Sequence, residues 1–147
     1  MALSKHMQAA YGRSALETEV LAATPHKLVL MLLDGALQAI RRAKIAMEAG
    51  KIADKGMLIG KAISIVDEGL RLALDHEKGG DIASNLDQLY EYCTRQLLQA
   101  NINNDPALLD QVCVLLNEVR DAWVQIGVPA NAQGGAPGDA GKVYGAA

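Results

Sequence analysis

Residues 24–50 read TPHKLVLMLLDGALQAIRRAKIAMEAG, and this stretch decides the fold class. Thr24 followed by Pro25 marks a helix entry: the threonine oxygen can accept from an orphan backbone N–H, and proline at the first helical position gives up a donor that would be unpaired anyway. The helix extends to about Ala49 and stops at Gly50, a residue suited to a left-handed C-terminal cap. Inside it, Leu28 to Leu33 are six apolar residues in a row. One buried stripe needs apolar residues only at every third or fourth position, so this run places them on several faces and a second face must be covered. The pattern predicts Leu28, Met31 and Leu32 toward a bundle core, with Val29, Leu30 and Leu33 turned to a lateral surface.

Three more helical patterns follow. The second spans about Ala53 to Leu74, with apolar residues at Ile59, Ile63, Val66, Leu70 and Ala73. The third is read as starting after Asp81 as N-cap and repeats Ile82, Leu86, Leu89, Cys93, Leu97 and Ala100 before Asn101 to Asn104 break it. The fourth has Asp105 as cap and Pro106 at its first position, then Leu108, Val112, Leu115, Val119, Ala122 and Ile126 before Gly127. No strand pattern competes, and short connections force successive helices antiparallel. The expected fold is all-α: an antiparallel up-down-up-down four-helix bundle over residues 24–127. Residues 1–23, with an amphipathic "SALETEVLAA", are expected to be an N-terminal arm, either mobile or docked as a fifth, loosely packed element. Residues 128–147, rich in Gly, Ala and Pro, bury too little to offset their ordering entropy and are expected to be a disordered tail.

Composition sets further bounds. Half of the 147 residues are hydrophobic, only 3% are aromatic and phenylalanine is absent, so the core is aliphatic, which favours helices over sheets. A formal charge of −3 and a pI near 5.5 give no basic field for nucleic acid or a membrane surface. No apolar run approaches the ~18 residues of a spanning helix and the N-terminus lacks a signal-peptide core, so a cytosolic protein is expected. Cys93 and Cys113 have no metal or redox spacing, and each reads as a small buried hydrophobe.

Catalytic chemistry is missing. A di-iron bundle needs Glu-x-x-His pairs, and His6, His26 and His76 have none; no cofactor is implied. A histidine phosphotransfer domain is the alternative that survives, through His26, but that residue lies in a first turn and is followed by apolar positions where a phosphoryl group needs cations or donors. Gly35, Gly60 and Gly69 lie inside helical patterns at about 1 kcal/mol each relative to Ala; close helix packing within the bundle and a groove for a partner helix explain them equally.

The motifs "ATPHKLVLMLLDGAL", "KAISIVDEGLRLALD", "EKGGDIASNLDQLYEY", "RQLLQANINND" and the terminal "AW" together resemble the flagellar secretion chaperones of the FliS family, over about Ala10 to Ile126. The resemblance implies a non-enzymatic four-helix bundle that holds the disordered C-terminal region of flagellin, one to one, in apolar grooves before passing it to the flagellar export apparatus, with the free protein a monomer or weak homodimer. Residue by residue, it implies client contacts at Tyr11 of the arm, at Leu28, Met31, Leu33, Asp34 and Gly35 of the first helix, and at Ile63 and Asp67 of the second. On the third it implies Asn85, Leu86, Leu89, Tyr90, Ala100 and Asn101; Leu86 and Leu89 serve equally as core positions. Leu33 departs from the family, where an aromatic is common, and so does the long tail. An adaptor for other export clients would share the same physics.

Overall fold

The computed structural model describes residues 24–127; the arm and the tail, Tyr11 included, lie outside the described residues. Four helices run α1 Pro25–Glu48, α2 Ile52–Ser64, α3 His76–Asn103 and α4 Pro106–Gly127, with α2 continuing as a π-helical stretch, Ile65–Leu70. They pack antiparallel in cyclic order, α1 against α2 and α4, and α3 against α2 and α4. Thr24 caps α1 by accepting from the Lys27 N–H at 3.1 Å, and Asp105 accepts from the Ala107 N–H at 3.0 Å, as the sequence predicts. Gly50 closes the first turn at φ 75°.

The core is aliphatic, with Leu33, Leu37, Ile40, Ile59, Val66, Leu70, Leu97, Leu109, Val112 and Leu116 fully buried. This corrects the reading of the apolar run on α1. Val29 and Leu33 are core residues, while Leu28 and Met31 are half-buried on the flank. The buried face of α1 runs Val29, Leu33, Ala36, Leu37, Ile40, Ala43 and Met47. Because the run is continuous, two phases of the helical period fit it, and the small residues Ala36 and Ala43 settle the phase only when they are counted with the core. Leu32 flanks the core and fills the space over Gly69, where a Cβ would come within 3.1 Å of Leu32 Cδ2. Close packing thus accounts for Gly69, whereas nothing stands near Gly60.

Two boundaries also differ. α3 begins at His76, with Asp75 rather than Asp81 as its cap, accepting from the Lys78 N–H at 3.0 Å. The helix is then interrupted at Gly80, whose φ of 50° and ψ of −123° are open to glycine and few others. A first turn therefore precedes the break that the two adjacent glycines signal. At its far end α3 runs on to Asn103, and only Asn104 turns left-handed, at φ 53°. Asparagine tolerates that region by local side-chain bonding, so a run of asparagines is ambiguous between helix end and helix.

Lys55 on α2 is the buried charged residue of the described core region, 7% exposed. Its ammonium donates to the Asn101 carbonyl at 3.2 Å and to Asn104 Oδ1 at 3.1 Å. A cation at the C-terminal end of α3 satisfies carbonyls that the helix leaves open and meets the negative end of its dipole. Lys55→Met keeps the stem and removes the donors. Thermal unfolding should show about 1–3 kcal/mol of lost stability, and a variant melting like the parent would make this clasp irrelevant to the fold.

Candidate functional site

A second clasp closes the opposite end of the bundle, where α1 begins and α4 finishes. The His26 and Trp123 rings stack with centroids 5.2 Å apart and planes 7° from parallel. Trp123 Nε1 donates to the His26 carbonyl at 3.0 Å, and His26 Nε2 lies 2.6 Å from the Trp123 carbonyl, so that nitrogen carries the hydrogen and donates. Gly127 passes beneath, and a Cβ there would overlap the His26 ring. With one ring nitrogen bound to a carbonyl and one face covered by indole, His26 does not present the exposed imidazole that phosphotransfer needs.

Trp123 also forms the end of an apolar groove between α3 and α4. Its walls are Leu86 and Leu89 from α3 and Leu115, Val119 and Ala122 from α4, with Glu118 at the edge, enclosing about 200 Å³. The four larger aliphatic residues pack on the core with one side and stay partly open on the other. The sequence pattern selected these residues as core together with Cys93, Leu97, Ala100 and Val112; the last four are buried as expected, while the rest of the buried faces comes from Ala83 and Tyr90 on α3 and from Leu109, Leu116 and Trp123 on α4. A surplus of leucine on adjacent faces again made two phases legible. The surplus phase lines the groove.

The remaining residues implied by the resemblance fall into three settings. Leu33, Tyr90 and Ala100 are buried and their side chains are taken up by the bundle itself; burial pushes the Tyr90 hydroxyl up from its ordinary value. Leu28, Met31 and Ile63 are half-buried and Asn85 is exposed, while Asn101 gives its carbonyl to Lys55. A Cβ at Gly35 would make ordinary contact with Ile65 at 3.5 Å. Asp34 and Asp67 carry ion pairs: Asp34 accepts from Arg120 Nε, tying α1 to α4, and Asp67 accepts from Arg71 at 2.8 Å. Leu86 and Leu89 are the two that share one groove.

Arg71 reaches further, donating from Nε to Asp87 Oδ1 at 2.8 Å and so pinning α3 to the end of α2. The Arg71 hydrogen bond, followed by its charge, holds the Asp87 carboxyl below its ordinary value of 3.8. A depressed carboxylate stabilises the fold above the unfolded value and loses that contribution as pH falls through the lower folded one. Both partners are partly in water, so the pair is worth about 1 kcal/mol or less. Asp87→Asn should therefore unfold slightly more easily than the parent at pH 7, and chemical denaturation should show the difference closing below pH 3.8. Cys93 lies in the core with its thiol pushed up to about 12 by burial, and Cys113 is raised for the same reason. Neither is an activated nucleophile. Among the described residues no cluster of His, Cys, Asp and Glu is suited to a metal, and no helix is long and apolar enough to cross a membrane.

The family model described as "Flagellar protein FliS" matches residues 7–130. The chain belongs to the FliS family. It is 46% identical over 124 residues to the flagellar secretion chaperone FliS of Salmonella typhimurium, covering 84% of this chain and 92% of that protein. It is 49% identical over 113 residues to the FliSB chaperone of Pseudomonas aeruginosa, covering 77% and 89%, and 45% identical over 117 residues to FliS of Vibrio cholerae, covering 80% and 85%. FliS proteins are flagellar secretion chaperones and not enzymes. That agrees with a helical bundle whose His26 is locked in a structural clasp and whose α3–α4 face carries an apolar groove.

Proposed function

We propose that this FliS-family protein is a cytosolic export chaperone that takes the C-terminal region of flagellin, one chain per protomer, and delivers it to the flagellar type III export apparatus. The observation that carries the reading is the α3–α4 groove, whose aliphatic walls the bundle leaves partly open. An amphipathic helix laid there would meet Leu86, Leu89, Leu115 and Val119 in the manner of helix-in-groove recognition. Four large aliphatic anchors on the client would contribute roughly 2 kcal/mol each. Ordering a disordered segment opposes this by about 2–5 kcal/mol, so useful affinity remains. Covering the segments through which flagellin assembles would keep it from polymerising before export.

The test is calorimetric titration with a peptide from the C-terminal region of the same bacterium's flagellin at several temperatures. One-to-one binding with a large negative heat-capacity change is the expected result. A folded bundle, verified by circular dichroism, that leaves this peptide unbound would turn the reading toward an adaptor for other export clients.

A further inference from the structure

The two ends of the α3–α4 groove differ in charge and in hydrogen-bonding capacity. Trp123 closes one end. The other is closed by a polar bridge one turn beyond Leu89 and Leu115. There Tyr92 Oη accepts from Gln96 Nε2 of its own helix at 3.0 Å and from Gln111 Nε2 of α4 at 3.1 Å. With two amides donating to the oxygen, the hydroxyl hydrogen is left over, and it donates to no group among the described residues. Arg95 lies over the same ring, 5.9 Å from its centroid. Nearby carboxylates are engaged or turned away: Asp110 is held by Lys44, Asp87 by Arg71, and Glu91 lies about 200° around α3 from Leu89. Toward Trp123 the sign changes. Glu118 stands at the groove edge with Asp121 one turn along α4, both exposed and neither in an ion pair among the described residues. The cation beside them, Arg120, is turned to Asp34 of α1.

A helix laid in this groove meets that gradient with a dipole of its own. Its last turn leaves carbonyls open and carries partial negative charge, which suits a hydroxyl donor and a guanidinium. Its first turn leaves N–H groups open and carries partial positive charge, which suits carboxylates. The dipoles of α3 and α4 run in opposite directions and offset each other along the groove, so the side chains decide. From Gln111 to Trp123 the groove follows α4 for about 18 Å, the length of about three helical turns. We infer that the groove selects the direction of the helix it holds: the client helix lies with its N-terminal end over Trp123 and its C-terminal end against Tyr92 and Arg95, parallel to α3 and antiparallel to α4. The inference rests on the groove as the seat of flagellin, and it makes Arg95 and Glu118 determinants of which way a client segment is threaded.

The probe is the flagellin C-terminal peptide carrying a nitroxide at one position at a time, read through the broadening of amide signals in the isotope-labelled full chain. The chain has one tryptophan, so the Trp123 indole N–H is a single signal at one end of the groove, and the Tyr92 and Gln111 amides mark the other. Labels that broaden Trp123 should precede, by about twelve residues of peptide, those that broaden Tyr92 and Gln111. The reverse order would overturn the inference and leave the chaperone reading standing. Labels that approach neither end, on a peptide that calorimetry shows to be bound, would remove the groove as the client's seat and the direction with it. A peptide that does not bind overturns both. Glu118→Lys and Arg95→Glu, at exposed positions, should each weaken binding about threefold to tenfold with helix content unchanged, and the difference should shrink in about 0.5 M salt. Unchanged affinity in both variants would equally count against a directional groove.

Discussion

Replacing Trp123 by alanine is expected to lower the unfolding free energy by about 3–5 kcal/mol, which is a large share of the stability of a domain this size. Three losses coincide. The indole is nearly buried and fills the end of the core, its ring supports His26, and its N–H is the donor for the His26 carbonyl. The carbonyl in question belongs to the first turn of α1, so the helix start loses its anchor along with the core filling. Trp123→Phe separates the parts, because it retains most of the apolar bulk and the stacking surface but removes the indole N–H that donates to the His26 carbonyl. That variant should lose about 1–2 kcal/mol. Urea unfolding curves for both would measure the difference, and equal midpoints for parent and Trp123→Ala would mean that the clasp holds nothing together.

The second large effect concerns binding rather than folding. Leu86→Ala with Leu89→Ala removes both α3 walls of the groove, and affinity for the flagellin peptide should fall by on the order of 100-fold, as expected for neighbouring anchors at the centre of an apolar contact. Leu33→Ala provides the contrast. Leu33 is fully enclosed by the bundle, so its truncation should cost about 2–5 kcal/mol of stability while the folded fraction binds the peptide nearly as before. If the double variant binds normally and Leu33→Ala does not, the client contact lies on α1 and the α3–α4 groove is not its seat.

These opposite expectations for Leu33 and Leu89 show what the sequence could and could not convey. The helices, their order and most of their caps were legible because Thr24-Pro25, Gly50 and Asp105-Pro106 are local signals that no tertiary contact overrides here. The phase of the apolar stripes on α1 and α4 was not, whereas Ile59, Val66 and Leu70 on α2 and Cys93, Leu97 and Ala100 on α3 are buried as the pattern predicts. α1, α3 and α4 carry leucine on two adjacent faces, so periodicity admits both Val29–Leu33 and Leu28–Met31 as the inward set, and both Leu109–Leu116 and Leu108–Leu115. The excess that blurred the phase is the same excess that lines the groove. Gly80 and Asn104 misplaced the ends of α3 because a residue that permits a left-handed backbone does not say on which side of it the helix lies. The two clasps were invisible for another reason: Lys55 meets Asn104, and His26 meets Trp123, across 49 and 97 positions of chain. Only "AW" among the recognised motifs hinted that the tryptophan mattered.

The His26–Trp123 clasp has a topological meaning as well. It sets the first turn of α1 and the last turn of α4 side by side, with Gly127 against the His26 ring, so the four helices form a ring with a single link left out. In such an arrangement the position of the opening is incidental to the packing. A peptide joining Gly127 to Thr24 would close the ring, and a new opening at the exposed Gly50 would start the chain on α2 and finish it on α1 with every interhelical contact retained. Seen this way, the bundle is a cyclic object whose break happens to lie where two flanking segments can be attached together.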